Sequence, residues 1–590
     1  MVKRGNYAVR PINDLKDMLQ QSQSLFGDTN AFFIKNKEDI YKAVSYTEFK
    51  NDVDALGTAL TALGLKGMHI ALIGENRYEW CVSYLSIVNG TGVVVPLDKE
   101  LPGSEIENLL IKSKAEAVIY SEKFHNEMCR ISRSTPYLKH FICMDTTGIH
   151  QDEPVSASAI HAGIPSQTNV SADSFKSFNQ LVERGKILID SGNKSFIDAK
   201  IDSDAMNMLL FTSGTTDYAK GVMLSHKNIC FDIIAVLSTV YIDSNDSSLS
   251  ILPIHHTYEC SLGFLALIYS GATISFNEGL KHIAKNLREI KPTVLLTVPL
   301  ILESMHKKIW DQVSKKRVLK LKLKLAIFIS TWLLRLLRID LRRKLFKQIH
   351  DTLGGRIRLV LTGAAAIDPG VSKCFRSMGI PVLQGYGLTE CSPLVIGNRD
   401  YAYKDSSVGL PLPGVEVKID APDENGVGEL MVKGDNVMIG YFENQDATDK
   451  VLKGEWFCTG DLGYSDKSGF YYITGRKKNV IVTKNGKNIF PEEIESYINK
   501  SSYVLESLVW GEYDGNTGDT TVNAQIVPDF ATIKEKLKLP DISKEDILRV
   551  IKEEIKNINK NMPIYKRIRD FSIRENEFIK TTTKKIKRYV

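Results

Sequence analysis

The sequence predicts an α/β protein: a large N-terminal domain of doubly wound sheets with a β-rich subdomain, followed by a small α+β C-terminal domain. Three observations predict it. Helix and strand signals alternate through the first half, residues 415–440 read as β-rich, and near Gly475 the texture changes to a shorter unit of strands and one charged helix.

Taken in order, residues 46–63 carry apolar side chains at helical spacing, 69–73 form a buried strand, 78–89 a helix and 92–96 a strand. Residues 117–120 follow another helix as a further strand. The stretch from about 150 to 193 is rich in Ser, Pro and charge, and reads as a peripheral insertion. Strands resume at 251–253, 273–276, 294–297 and 358–361. Beyond 475 come strands at 508–510 and 521–527, a charged helix at 544–557 and a basic tail. The reading divides the chain into residues 1–474 and 475–590.

With 590 residues the chain exceeds what a single core supports, and 43% apolar with 25% charged residues is ordinary globular usage. The net charge of +6 is too mild for a general nucleic-acid-binding field. Eight cysteines lie scattered without C-x-x-C spacing, which disfavours zinc and a disulfide framework and points to a cytoplasmic setting. No apolar run reaches the roughly 20 residues needed to span a bilayer.

One motif carries phosphate chemistry. In Leu209-Leu210-Phe211-Thr212-Ser213-Gly214-Thr215-Thr216-Asp217-Tyr218-Ala219-Lys220, an apolar strand runs into hydroxyls and glycine and then a lysine. Small residues let backbone N–H groups and hydroxyls wrap phosphate oxygens while Lys220 adds positive charge. The spacing is not that of a P-loop, and in isolation such a loop is more often an ordinary turn.

It is not isolated. Behind it come Ile254-His255-His256-Thr257-Tyr258-Glu259, Gln384-Gly385-Tyr386-Gly387-Leu388-Thr389-Glu390, Trp456-Phe457-Cys458-Thr459-Gly460-Asp461, Gly475-Arg476-Lys477-Lys478 and a terminal Lys584-Lys585-Ile586-Lys587-Arg588. In this order the segments resemble the adenylate-forming superfamily, which includes acyl-CoA synthetases, luciferases and peptide-synthetase adenylation domains. The resemblance spans most of the chain. The sequence departs from the family pattern at Asp217 and Lys584, where glycine is usual, and at Ala219, where proline is usual.

The resemblance implies ATP, Mg2+ and CoA as co-substrate. Thr212, Ser213, Gly214, Thr215, Thr216 and Lys220 would hold the β- and γ-phosphates, with Thr212 and Glu390 as the magnesium contacts, a hard oxygen set that the ion prefers. Gly363, Ala364 and Ala365 would line adenine and the acyl group. Gln384, Gly385, Tyr386, Gly387 and Thr389 would complete the nucleotide site, with Tyr386 stacked on adenine. Asp461 would accept both ribose hydroxyls, assisted by Arg476. Lys585 would neutralise charge between carboxylate and α-phosphate, Lys478 would be the hinge of a rotating C-terminal domain, and Gly486 would admit pantetheine.

The segment containing His256 and Glu259 resembles the H-x-F-E pattern of long-chain acyl-CoA synthetases, and Thr257 stands where an amino-acid-activating domain would place Asp. A long-chain fatty acid is therefore the expected substrate. Arg317, Lys320, Lys324, Arg335, Arg338 and Arg342 recur at helical spacing beside apolar residues, which reads either as a solvated face over a buried helix or as peripheral contact with an anionic membrane. Two alternatives to a fatty acid:CoA ligase stay open: an acyl-AMP or acyl-carrier-protein ligase, and a non-enzymatic lipid-binding or scaffold homologue.

Overall fold

The computed structural model describes residues 6–36, 38–135, 137–145, 174–212, 219–314, 317–483, 488–514, 519–538, 541–580 and 586–588. They fall into two compact units. The first comprises the described residues of 6–212, 219–416 and 433–452, and the second those of 417–432 and 453–588.

Two large sheets build the first unit. One runs Gly440–Tyr441, Lys220–Ser225, Met206–Thr212, Val93–Leu97, His69–Ile73, Ala117–Tyr120, His140–Cys143, Phe175–Ser177. Its middle strands are parallel and almost wholly buried, the state that continuous Val/Ile/Leu runs require. Helix Gly103–Lys112 covers one face with Ile106, Leu109 and Leu110, which pack in one core with Ala71, Val95, Val118 and Leu209. At roughly 1.5–3 kcal/mol for each large apolar side chain, this burial holds the layer together.

The second sheet runs Leu410–Pro411, Leu394–Gly397, Val382–Gly387, Leu359–Thr362, Val294–Thr297, Ser247–Ser250, Thr273–Phe276, Asn30–Lys35, Tyr41–Ser45. Its central strands are again parallel, so their carboxyl ends open along one side. Helix Tyr46–Ala62 begins on a capping box in which Ser45 and Glu48 satisfy each other's backbone N–H.

Three sequence expectations are corrected. Residues 251–253 are not a strand; the ladder ends at Ser250, and Leu252 instead gives its carbonyl to Asn76. The sequence places a short apolar strand at 381–383, before Gln384; the strand instead runs Val382–Gly387 and pairs with Leu394–Gly397, where Gly387 admits the close approach of the Pro393 backbone. The end of the stretch read as a peripheral insertion is structural: helix Phe178–Asp190 buries Phe178, Leu181, Val182 and Gly185. Polar and charged Asn179, Gln180, Glu183, Arg184 and Lys186 on its outer face mask that short apolar stripe; residues 146–173 lie outside the described set.

The second unit holds a sheet of Glu416–Asp420, Gly428–Lys433, Trp456–Ser465 and Leu452–Lys453, to which Tyr471–Arg476 pairs. It also holds a three-stranded sheet of Val504–Asp514, Asp519–Pro528 and Ile568–Ile573. Helices Pro491–Ile498, Phe530–Leu537 and Lys544–Lys560 cover the latter, burying Ile494, Ile533 and Ile551 against Val509, Ala524 and Ile526.

A methyl group at Gly185 would lie 1.8 Å from the Ala55 carbonyl oxygen. Gly185→Ala is therefore expected to destabilise the first unit by about 2 kcal/mol or more, since backbone rather than a side chain must move. Thermal or urea unfolding measures it; an unchanged midpoint refutes the close packing.

Candidate active site

Strands Met206–Thr212 and Lys220–Ser225 are antiparallel, and Thr212 faces Lys220 in register, so the phosphate-type loop closes a hairpin. The Thr212 hydroxyl lies 3.5 Å from the Lys220 carbonyl oxygen. Ser213, Gly214, Thr215 and Thr216, with Asp217, lie outside the described residues. On the other edge, Gly440–Tyr441 pairs with Met223 and Val222.

That pairing places the Tyr441 ring 4.7 Å from the Lys220 ammonium and lets the Tyr441 hydroxyl donate to Glu390 Oε1 at 2.9 Å. Glu390 follows Thr389 in a tight turn that Met438 N–H anchors on the Glu390 carbonyl at 2.8 Å. Lys220 and Glu390, far apart in sequence, thus meet at one tyrosine, and Thr212 faces Lys220 across the hairpin. Tyr441 was not singled out from the sequence; it is one of 23 tyrosines, and only the strand pairing distinguishes it.

Glu390 makes no ion pair among the described residues, and Tyr441 occupies one of its oxygens, which leaves a hard oxygen available. No group of three metal-ligating side chains occurs among the described residues. That donor set fits Mg2+, which retains waters and takes one or two protein oxygens together with phosphate oxygens.

Next to this cluster in sequence, Gln384-Gly385-Tyr386-Gly387 runs as strand rather than loop. A methyl group on Gly387 would lie 1.9 Å from the Pro393 carbonyl oxygen, and one on Gly385 would lie 2.8 Å from the Leu394 side chain. Gly387 is therefore demanded by the strand pairing itself, whereas at Gly385 the Leu394 side chain could give way. Tyr386 is half-buried opposite Ile396. Gly363 follows the adjacent strand, Ala364 takes a left-handed φ of 69° and Ala365 is exposed. A left-handed backbone at a residue other than glycine costs about 1–2 kcal/mol, and such strain collects at functional positions.

The carboxyl ends of four neighbouring strands present Ser250, Thr297, Thr362 and Gln384, with Thr297 in register with Thr362 and Thr362 with Gln384. Against them lies the segment after His255. Ser250 donates to Glu259 Oε1 at 2.5 Å, and Asn76 donates to Ser250 at 2.8 Å. The side-chain partner of Glu259 is thus Ser250, on a strand, and Asn76 and Ser250 are further site residues that sequence reasoning missed. Glu259 Oε2, Tyr258 OH and the Thr297 and Thr362 hydroxyls are buried with no partner among the described residues.

Burial pushes the Glu259 carboxyl up to about 8, against the Ser250 hydrogen bond that favours the anion. Burial also holds the His255 imidazole well below its ordinary value, with His256 and Lys99 adding to the effect. His255 is thus neutral, and its 3.7 Å approach to Asp98 is not an ion pair. His256 is half-buried, its ring 4.1 Å from that of His255. At neutral pH Glu259 is therefore protonated and His255 neutral.

In the second unit, register pairs Asp461 with Arg476 across two strands, and Arg476 Nε lies 2.6 Å from Asp461 Oδ1. Asp461 is buried and Arg476 half-exposed; Thr459 Oγ1 accepts the Asp461 N–H at 3.0 Å. Lys478 is exposed in the turn that follows, and Asn479 beside it donates to Glu492 at 2.6 Å. Gly486 and Lys585 lie outside the described residues. The basic tail is not a wholly solvated cluster: Arg588 donates to both Glu495 oxygens, at 2.7 and 2.6 Å, and to the Val509 carbonyl at 2.8 Å.

Residues 19–442 match the family model for AMP-binding enzymes, and residues 478–589 match that for the AMP-binding enzyme C-terminal domain. Fatty acyl-CoA synthetase A of Dictyostelium discoideum is 28% identical over 576 residues, covering 92% of this chain and 81% of the relative. Long-chain-fatty-acid–CoA ligase 5 of Mus musculus is 30% identical over 497 residues, covering 80% and 69%. An anthranilate CoA ligase solved with anthranoyl-AMP shares the fold, with a TM-score of 0.74 at 20% identity over 98% of this chain and 97% of that one.

Glu259 gives a pH signature. Its native value near 8 exceeds the ordinary 4.5, so between these pH values the folded state keeps a proton that the unfolded chain releases. Its contribution to stability is complete below pH 4.5 and is lost as pH rises through 8, with a slope approaching about 1.4 kcal/mol per pH unit. Glu259→Gln is expected to flatten the stability–pH curve across that window in denaturant titrations. Identical curves for the two proteins refute a neutral Glu259.

Proposed function

We propose, from the premise that the chain belongs to the AMP-binding enzyme family, that it is a long-chain fatty acid:CoA ligase. In the first step a fatty carboxylate attacks the α-phosphate of ATP, forming acyl-AMP and expelling pyrophosphate. In the second, the CoA thiol attacks the acyl carbon and AMP leaves. The observation that carries the reading is the meeting of Lys220 and Glu390 at Tyr441, a cation and a carboxylate on one ring, with Thr212 facing Lys220 across the hairpin.

The steps are dominated by charge handling. Lys220 and the loop hydroxyls hold the β- and γ-phosphates, and Tyr441 fixes both Lys220 and Glu390. Mg2+, when bound, neutralises phosphate charge; Thr212 and Glu390 are the side chains proposed to hold it. Asp461, oriented by Arg476, takes the ribose hydroxyls. Lys585 stabilises the charge that develops between carboxylate and α-phosphate, Lys478 is the hinge between domains 1–474 and 475–590, and Gly486 admits pantetheine. The neutral lining around Glu259 and His255 suits an acid whose tail carries no charge.

No described helix is long and apolar enough to cross a membrane. We place the enzyme in the cytoplasm, working peripherally at an anionic membrane, where its substrate partitions. Pyrophosphate release that requires a long-chain acid is the expected outcome with ATP and Mg2+, and thioester should form with free CoA. Thioester with carrier protein alone would favour the second ligase reading, and no acid-dependent release would leave the scaffold reading. Lys585→Ala is expected to lose acyl-AMP formation by a hundredfold or more while still making thioester from supplied acyl-AMP. Normal adenylation in that variant refutes the role of Lys585.

A further inference from the structure

Helix Arg317–Leu336 is apolar on two sides. Inward, Leu323 and Ser330 are buried and Ala326 and Ile327 half-buried, and the helix packs on Pro299–Ser314 and Pro369–Ser377. Outward, Leu325, Phe328, Ile329, Trp332 and Leu336 form one stripe at three- and four-residue spacing, and each is between 42% and 67% exposed. Leu337 and Ile339, also exposed, extend the patch past the helix end. The basic face read from the sequence does not continue to Arg342: the helix stops at Leu336, Arg338 sits in a left-handed turn, and Arg342 is paired with Asp340.

A contiguous apolar surface of this kind marks a contact site. Its surroundings select the occupant. Between Asp311 and Asp340 the sequence holds eight lysines and arginines and no acid, and Arg343, Lys344 and Lys347 follow. A second copy of the chain would bring like charges together across the same face. An anionic bilayer meets both features: acyl chains for the stripe and headgroup phosphates for the cations. Trp332 is the aromatic type that settles at such an interface.

We propose that Arg317–Leu336 lies in the headgroup layer of an anionic bilayer, with Leu325, Phe328, Trp332 and Leu336 inserted among the acyl chains. This deepens the peripheral membrane contact of the preceding reading by naming its face and its mode. Insertion, and not charge alone, holds the enzyme there. The inward stripe stays docked on its neighbouring helices, so binding requires no unfolding of the first unit.

The test uses the full chain, with sedimentation on vesicles of phosphatidylcholine containing one-third phosphatidylglycerol, at about 0.15 M salt. The variant Phe328→Ser/Trp332→Ser/Leu336→Ser is expected to bind at least tenfold more weakly. A control, Leu25→Ser/Ile187→Ser/Leu280→Ser, removes equally exposed apolar residues elsewhere and should bind as wild type. Both variants should keep the wild-type melting temperature, and both should keep its pyrophosphate release with fatty acid delivered from cyclodextrin. Wild-type protein that does not pellet, or a first variant that pellets equally, overturns the proposal. So does a concentration-dependent dimer that the first variant abolishes. Vesicle binding without acid-dependent pyrophosphate release would instead sink the ligase reading and leave the surface standing.

Discussion

The ladder that pairs Met206–Thr212 with Lys220–Ser225, and that strand with Gly440–Tyr441, is the constraint on which the candidate site depends. Register in a sheet leaves no freedom: a slip of one residue would turn Lys220 and Tyr441 to the opposite face. Because the register is fixed by buried Leu209, Val222 and Leu224, the positions of Thr212, Lys220 and Tyr441 follow from the core. Glu390 is then held through the Tyr441 hydroxyl and the Met438 N–H, one bond to side chain and one to backbone.

A second constraint is backbone approach. Gly387 against the Pro393 carbonyl lets one strand change from parallel pairing with Leu359–Thr362 to antiparallel pairing with Leu394–Gly397 within six residues. That change carries the chain from the strand ends bearing Thr362 and Gln384 to the turn bearing Glu390. The G-Y-G segment serves the fold as strongly as any ligand. Gly387 would be required by packing even in a protein that bound no nucleotide.

What the sequence made legible follows from how local each signal is. The buried strands at 69–73 and 117–120 and the helices at 46–62 and 544–560 rest on short-range periodicity, and they stand close to where the sequence placed them. Thr212, Lys220, Glu390, Asp461 and Arg476 were legible because their residue types match a chemistry in order. Tyr441, Asn76 and Ser250 were not, since their roles arise from pairs such as Asn76 with Ser250, 174 residues apart. Arg588 was misleading for the opposite reason. A run of cations reads as solvated until a buried acceptor such as Glu495 is found opposite it.

The polar lining around Glu259 carries the last step. Four buried polar atoms without partners would be costly in a finished core, about 1–3 kcal/mol for each such group, and they gather at the carboxyl ends of parallel strands. A carboxyl held neutral by burial reduces that cost, because the anion would be far more expensive to bury than the acid. Neutral His255 beside it has the same origin. The fold therefore builds, around a protonated Glu259 and a neutral His255, a wall that can donate and accept hydrogen bonds. Such a wall favours an acid whose only charge is its carboxylate, and it penalises a tail bearing an ammonium or a second carboxylate by the desolvation that no counter-ion offsets.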